Sequence, residues 1–196
     1  MKKTVITIGR EYGSGGYELA EKLAQALNFH FYDKEIIAKL ADRILVPESF
    51  LEAADGSISR RRNIFHEIMP IFANGDESQA DYIFREQGKF ISQLATEGEC
   101  VFIGRRADYY LKDMPEAVHI FCYADKDFKI QRICQAENCT PEEAEKKIRD
   151  IDKLRKTSYE YTTGRKWADK KNYDLMICTS AFGIDRCVEQ IVGLIR

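Results

Sequence analysis

An α/β fold, with a five-stranded parallel sheet covered by helices on both faces, is the architecture this sequence predicts. Two observations predict it: five short apolar runs recur along 196 residues, and helical stretches separate them. Strands that alternate with helices pair in the parallel sense, and both faces of the sheet are then buried. The first run, Thr4-Val5-Ile6-Thr7-Ile8, opens the sheet, and a helix with leucine or alanine at 19, 20, 23, 24 and 27 follows it. Residues 29–32 and 100–103 (Cys-Val-Phe-Ile) predict the second and third strands. Between them the stretch 34–99 is far longer than an ordinary crossover and predicts a helical flap. Its last helix, at about 77–97, carries Ile83, Gln87, Phe90, Ile91 and Leu94 at helical spacing and stops near Gly98. The middle, Gly56 through Gly75 with Arg60-Arg61-Arg62, reads as loop or short helix. Residues 117–123 predict the fourth strand. Thr140-Pro141-Glu142-Glu143 then combines an N-cap, a proline at the first helical position and a glutamate placed for a capping box. The cationic helix that starts there runs to about residue 158, before the aromatic stretch 159–167. Residues 173–178 (Tyr-Asp-Leu-Met-Ile-Cys) predict the fifth strand, and Cys187, Val188, Ile191, Val192 and Ile195 form the apolar stripe of a closing helix.

With 44% hydrophobic residues the chain can bury one core, which predicts a single unit. Thirty Lys plus Arg against 32 Asp plus Glu leave a net charge of -2, so no general field draws the protein to nucleic acid or an acidic membrane. Any anion site must be local. Six cysteines without a C-x-x-C, three of them (Cys100, Cys122, Cys178) within apolar runs, read as core thiols. His30, His66 and His119 are scattered, which favours structural roles over a metal site. No charged-then-apolar leader and no apolar run of about 18 residues is present, so a cytoplasmic home is expected.

The first strand leaves through Gly9-Arg10-Glu11-Tyr12-Gly13-Ser14-Gly15-Gly16. A buried strand, a glycine-rich turn and a helix aim backbone amides and a positive helix end at one point, where an anion belongs. Aligned on G-x-x-x-x-G-K-[ST], Arg10 falls at the first glycine, Gly15 at the second, and Gly16 where the lysine should be. Arg10 can return part of the missing charge. The competing reading is a tight turn that binds nothing.

A phosphoryl-transfer site also needs cations on the migrating group, usually Mg²⁺, and something to hold the acceptor in line. Gly104-Arg105-Arg106-Ala107-Asp108 follows the third strand directly. Its arginines can clamp a phosphate by paired hydrogen bonds, while Asp108 can accept from a sugar or base. Alternatively, an Arg-Asp pair merely ties the loop. On the cationic helix, Asp152 and Arg155 are three apart and thus neighbours, an arrangement suited to an arginine finger and its orienter; a solvated helix face is the alternative. Asp33 ends the second strand and either contacts substrate or caps the helix beginning Lys34-Glu35-Ile36, and Arg85 lies on the helix returning to the third strand.

Together, ITIGREYGSGGYELAEKLA, FYDKEII, VFIGRRADYYL and DKLRKTSYEYTTGRKWADKKNYDLMICTS resemble the cytidylate kinase-like family of P-loop nucleoside monophosphate kinases over nearly the whole chain. The resemblance implies a three-layer P-loop kinase fold: a core of residues 1–33, 99–139 and 172–196, an acceptor-binding flap over about 34–98, and a mobile lid over about 140–171. It implies ATP and Mg²⁺ as cofactors and a small phosphorylated acceptor such as CMP or dCMP. Carried over by position, Arg10, Gly13, Ser14, Gly15, Gly16, Tyr17 and Glu18 stand on the donor side. Asp33, Arg85, Arg105, Arg106 and Asp108 stand on the acceptor side, and Arg149, Asp152 and Arg155 on the lid. Three departures stand out: Gly16 for the lysine, Glu18 for a threonine, and Arg106 where cytidylate kinases proper place the aspartate of G-R-D. Asp108 is the nearest replacement for that aspartate. A nucleotide-binding sensor without transfer activity, and a kinase of a non-nucleotide metabolite, are the rival readings.

Overall fold

A computed structural model describes residues 4–33 and 79–195. The expected helix start at Lys34, the Arg60–Arg62 run, His66 and most of the expected flap lie outside the described residues. Among the described residues the elements follow in this order: β1 (Val5–Arg10), α1 (Gly16–Leu27), β2 (His30–Tyr32), α2 (Gln79–Thr96), β3 (Cys100–Ile103), α3 (Ala107–Tyr110), β4 (Ala117–Tyr123), α4 (Lys126–Glu137), α5 (Pro141–Thr163), a 3₁₀ turn (Lys170–Asn172), β5 (Leu175–Cys178), α6 (Thr179–Phe182) and α7 (Ile184–Ile195). All five expected strands are present.

They form one sheet in the order β2-β3-β1-β4-β5, and every neighbouring pair is parallel. From central β1 the chain runs out to edge strand β2, returns to β3, and then crosses to β4 and β5. The winding direction reverses beside β1, which directs the turns after β1 and β3 to opposite faces at their carboxyl ends, where such sheets bind ligands. Register places Ile8 opposite Ile103 and Ile120, which brings the turns after β1 and β3 side by side.

Alternation along the strands divides the core into two layers. Val5, Cys100 and Phe102 face Ile83, Phe90, Ile91 and Leu94 of α2 and Leu111 just after α3. Ile6, Ile8, Val101, Ile103 and Ile120 face Leu19 and Leu23 of α1 and Cys187, Val188 and Ile191 of α7. Phe102, Ile6, Ile8, Leu19 and Leu23 are fully buried, each contributing about 1.5–3 kcal/mol of hydrophobic stabilisation. A third, small cluster joins Ile133 of α4 to Ala144 and Ile148 of α5. A polar pair within the sheet spans β1 and β4, where the Thr7 hydroxyl lies 2.8 Å from His119 Nδ1. Asp174 accepts from the His119 amide and donates its own amide to the His119 carbonyl. Both strand histidines, His30 and His119, are therefore part of the sheet.

Helix α5 begins with the full capping box: Thr140 Oγ1 accepts from the Glu143 amide, and the Glu143 carboxylate accepts from the Thr140 amide. It continues to Thr163, beyond the expected end, and stops at Gly164 in the left-handed region, φ 66°. Tyr159 explains the extension, because it is buried while still helical. β5 starts two residues later than expected, at Leu175. The cysteines also divide differently from expectation. Cys100, Cys122 and Cys187 are buried, whereas Cys134, Cys139 and Cys178 are only half-buried, and all six are free thiols. Among the described residues no helix is long and apolar enough to cross a membrane.

Candidate active site

Gly13 and Gly15 turn the chain out of β1 with φ of 79° and 78°, a region that L side chains resist. Packing reinforces the choice: a Cβ on Gly15 would lie 2.6 Å from Ile184 Cδ1. The first intrahelical bond of α1 runs from the Leu19 amide to the Gly15 carbonyl at 2.9 Å. The amides of Tyr17 and Glu18 precede it, as helix amides that serve an anion do. Ser14 is wholly buried and holds the turn from below: its hydroxyl donates to the Glu11 carbonyl (2.8 Å), and its own carbonyl accepts from the Thr179 hydroxyl (2.5 Å). The Ser14 side chain thus braces the loop.

Arg10 folds back over the start of α1. A Cβ on Gly16 would stand 2.6 Å from Arg10 Cβ, and one on Gly104 would stand 2.0 Å from Arg10 Nη1. The guanidinium therefore lies against Gly104, at the joint ends of β1 and β3.

Two cations beside the loop escaped the sequence reading. Lys129 Nζ binds Glu11 at 2.7 Å, and Arg132 Nη2 binds Glu18 at 2.8 Å. Both come from α4, and both pack against loop glycines, Lys129 on Gly13 and Arg132 near Gly15. Their spacing of three on the helix after β4 was the available signal, but the pairing glutamates lie over 110 residues away in the chain. Glu18 also binds Lys22 at 2.9 Å, and the Lys22 and Arg132 bonds hold its carboxyl below the usual range. With Glu11 and Glu18 both taken by cations, and no group of three or more metal-ligating side chains among the described residues, these residues do not form a protein-held magnesium site.

Helix α5 rests on the same loop. Asp152 Oδ1 accepts from the Tyr12 amide (2.7 Å), and Arg155 Nη1 donates to the Arg10 carbonyl (3.1 Å) while its guanidinium lies over the Tyr12 ring. Burial pushes the Asp152 carboxyl up to about 6, although the Tyr12 amide and Arg155 oppose the rise. Arg149, grouped with these two by sequence, is exposed and is not brought to the loop. Its charge is felt by Glu145, one helical turn before it.

On the β3 side, Arg105 is buried and its Nη2 lies 3.9 Å from Asp33 Oδ1, joining the ends of β3 and β2. The Asp33 carboxylate also neighbours Tyr17, whose hydroxyl is raised first by burial and then by that charge. Tyr17 stands edge-on to Phe31 and remains half exposed. Arg85 is exposed on α2, beside Glu86 and over Tyr82. Arg106 departs from the expected pairing with Arg105. Its guanidinium is buried and donates to Thr162 (2.9 Å), Gln87 (3.1 Å) and Ser158 (2.6 Å), so it ties α5 to α2. Asp108 is likewise buried, accepting from the Tyr159 hydroxyl at 2.6 Å; burial raises its pKa. The expected role of Asp108 toward a sugar or base meets a carboxylate already committed to Tyr159.

A parallel sheet of this order, a glycine turn at the switch point and flanking arginines define the class: a P-loop kinase fold. The chain belongs to the cytidylate kinase-like family, whose model matches residues 5–181. An uncharacterized protein from Eubacterium ventriosum, known by crystal structure, is similar with 26% identity and a TM-score of 0.74 over 98% of each chain. Shikimate kinase from Bacteroides thetaiotaomicron is similar with a TM-score of 0.54 and 12% identity over 97% of each chain. The Acinetobacter baumannii shikimate kinase, in complex with shikimate, gives 0.51 and 17%, covering 98% of this chain and 92% of its own. At such identities the shikimate kinases speak to the fold. No curated protein matches the chain.

Proposed function

We propose that this protein moves the γ-phosphoryl group of ATP, accompanied by Mg²⁺, to a nucleoside monophosphate or a similar small phosphorylated acceptor. One observation carries the reading. The turn after β1, with its helix amides, and the turn after β3, with Arg105, adjoin at the switch point, so a donor and an acceptor phosphate can meet between them. The donor triphosphate lies on residues 10–18, the acceptor phosphate on Arg105 with Asp33 as its orienter. Arg85 extends the acceptor side. An acceptor phosphate oxygen bonds to the γ-phosphorus as the bond to the β–γ bridging oxygen breaks, and ADP leaves with that electron pair. Magnesium, where it accompanies ATP, would neutralise phosphate charge without a set of protein carboxylates among the described residues to hold it. The lid covers about residues 140–171, with Arg155 and its neighbour Asp152 at the loop and Arg149 at its outer face; of the acceptor side, α2 is the described part, and both belong to a single unit. Arg106 acts as a tether of the lid helix, which leaves base choice open to acceptors other than CMP and dCMP. We place the reaction in the cytoplasm, where free thiols persist.

The test is a coupled assay for ADP release over a panel of nucleoside monophosphates and phosphorylated metabolites. An acceptor-dependent rate well above the ATP-only background supports the proposal; a flat panel rejects it. The glycine at 16 favours one rival, a nucleotide-binding sensor without transfer, because losing a cation at the phosphates raises the barrier by several kcal/mol. Calorimetry separates them: ATP binding combined with a flat panel identifies the sensor.

A further inference from the structure

We propose that Arg10 replaces the absent loop lysine, and that Gly16 is a glycine because the stem of Arg10 requires its space. The inference rests on the reading of residues 10–18 as a triphosphate site, and it identifies which side chain supplies the cation there. In the ordinary loop the lysine leaves the first turn of the helix and reaches the β- and γ-phosphates. Here the position of that lysine has no side chain, and the stem of Arg10 lies over it. A Cβ at residue 16 would meet Arg10 Cβ at 2.6 Å and Arg10 Cγ at 3.2 Å, against a side chain fixed near its root. A lysine at 16 and an arginine at 10 therefore exclude one another.

The far end of Arg10 lies on Gly104, a residue whose φ of 65° already favours glycine. A Cβ at residue 104 would meet Nη1 at 2.0 Å and Cζ at 3.1 Å, so the guanidinium is seated on bare backbone. That backbone begins the turn after β3, and Gly104 donates its amide to the Ile8 carbonyl at 3.0 Å. The cation thus arrives at the joint ends of β1 and β3, the place where the triphosphate and the acceptor phosphate would meet. Its root is the last residue of β1 rather than the first turn of α1: the charge is delivered from the strand side. The carbonyl of the same residue accepts from Arg155 at 3.1 Å, which couples the position of Arg10 to the docking of α5. A guanidinium presents five donors in a fixed plane, where an ammonium presents a point charge. Arg10 and the lysine are hence alternative solutions to one electrostatic need. Neither donates nor removes a proton during transfer.

The test compares the wild-type chain with Arg10→Ala, Gly16→Lys and the double variant Arg10→Gly with Gly16→Lys. Titration calorimetry with MgATP and with AMP, ADP-release assays and thermal melting are read for each. Arg10→Ala should weaken ATP binding by about tenfold or more and turnover by about a hundredfold, on the scale of removing one pre-placed donor, while AMP binding changes less than threefold. Gly16→Lys alone should lose activity and melt lower, since the new Cβ meets the Arg10 stem. The double variant restores the ordinary loop and should recover at least tenfold in ATP affinity over the weaker single variant. A double variant no better than either single, or an Arg10→Ala chain that binds ATP like wild type, overturns the proposal. Should wild type bind ATP without transferring phosphate, the kinase reading falls and the affinities still decide the role of Arg10. Should it bind no ATP, both fall.

Discussion

Arg106 carries a charge into the interior, and the hydroxyls of Thr162 and Ser158 and the amide oxygen of Gln87 meet it there. Alanine at 106 would remove these three hydrogen bonds from the charged guanidinium, two of them to the buried Gln87 and Ser158, so a loss of about 2–4 kcal/mol in urea unfolding is expected. Arg105, one residue earlier, faces the other way, toward Asp33. Its replacement by alanine should reduce acceptor turnover by about a hundredfold, whereas Lys112→Ala, exposed over the Tyr109 ring, should change turnover less than twofold. Equal losses would contradict this placement. Asp152 gives a pH-dependent expectation. Burial raises its folded-state pKa to about 6, above the ordinary value near 4, so the folded chain binds that proton more tightly than the unfolded one. Its contribution to stability is therefore greatest below about pH 4, declines as pH rises to about 6, and is level above. Asn at 152 keeps an acceptor for the Tyr12 amide but does not titrate. Unfolding midpoints between about pH 4 and pH 7 should fall less steeply for Asp152→Asn; Asp108, also raised by burial, contributes the same slope to both proteins.

At the scale of elements, α5 links three regions along one rod of 23 residues, roughly 35 Å at 1.5 Å per residue. Its first turns pack Ala144 and Ile148 against Ile133, its middle puts Asp152 and Arg155 on the loop, and its last turns give Ser158, Tyr159 and Thr162 to Arg106 and Asp108. Since the helix begins with a capping box, Thr140→Ala should cost about 1 kcal/mol in denaturant unfolding, and Thr140→Ser much less. The start of α5 was legible because a cap is local chemistry. Its end was not: Tyr159-Glu160-Tyr161 carries no helix signal, and the partner that buries Tyr159, Asp108, lies 51 residues away.

Across the whole molecule, the switch-point loop touches both α4 and α5, so the ATP binding proposed above would couple all three. Ligand that binds only the folded chain stabilises it by mass action, by about 2.7 kcal/mol at a hundredfold excess over Kd. Melting temperature should therefore climb with ATP concentration. The climb should be weaker in Arg155→Ala, whose loop contact is gone. An unchanged series in that variant would separate α5 from the nucleotide site.

By itself the sequence determined the strands, the glycine turn, the capped helix and the family, because each is written in neighbouring residues: alternation of period two, glycine where φ is positive, a side chain that caps the amide three residues on. The tertiary structure alone decided that Arg106 turns inward while Arg105 turns to Asp33, that Lys129 and Arg132 hold the loop glutamates, and that Arg10 lies across Gly16 and Gly104. Those outcomes depend on which surfaces meet when the sheet assembles, and the groups involved are mostly tens of residues apart or more. Burial and charge pairing at that range are properties of the packed fold, which no local pattern encodes.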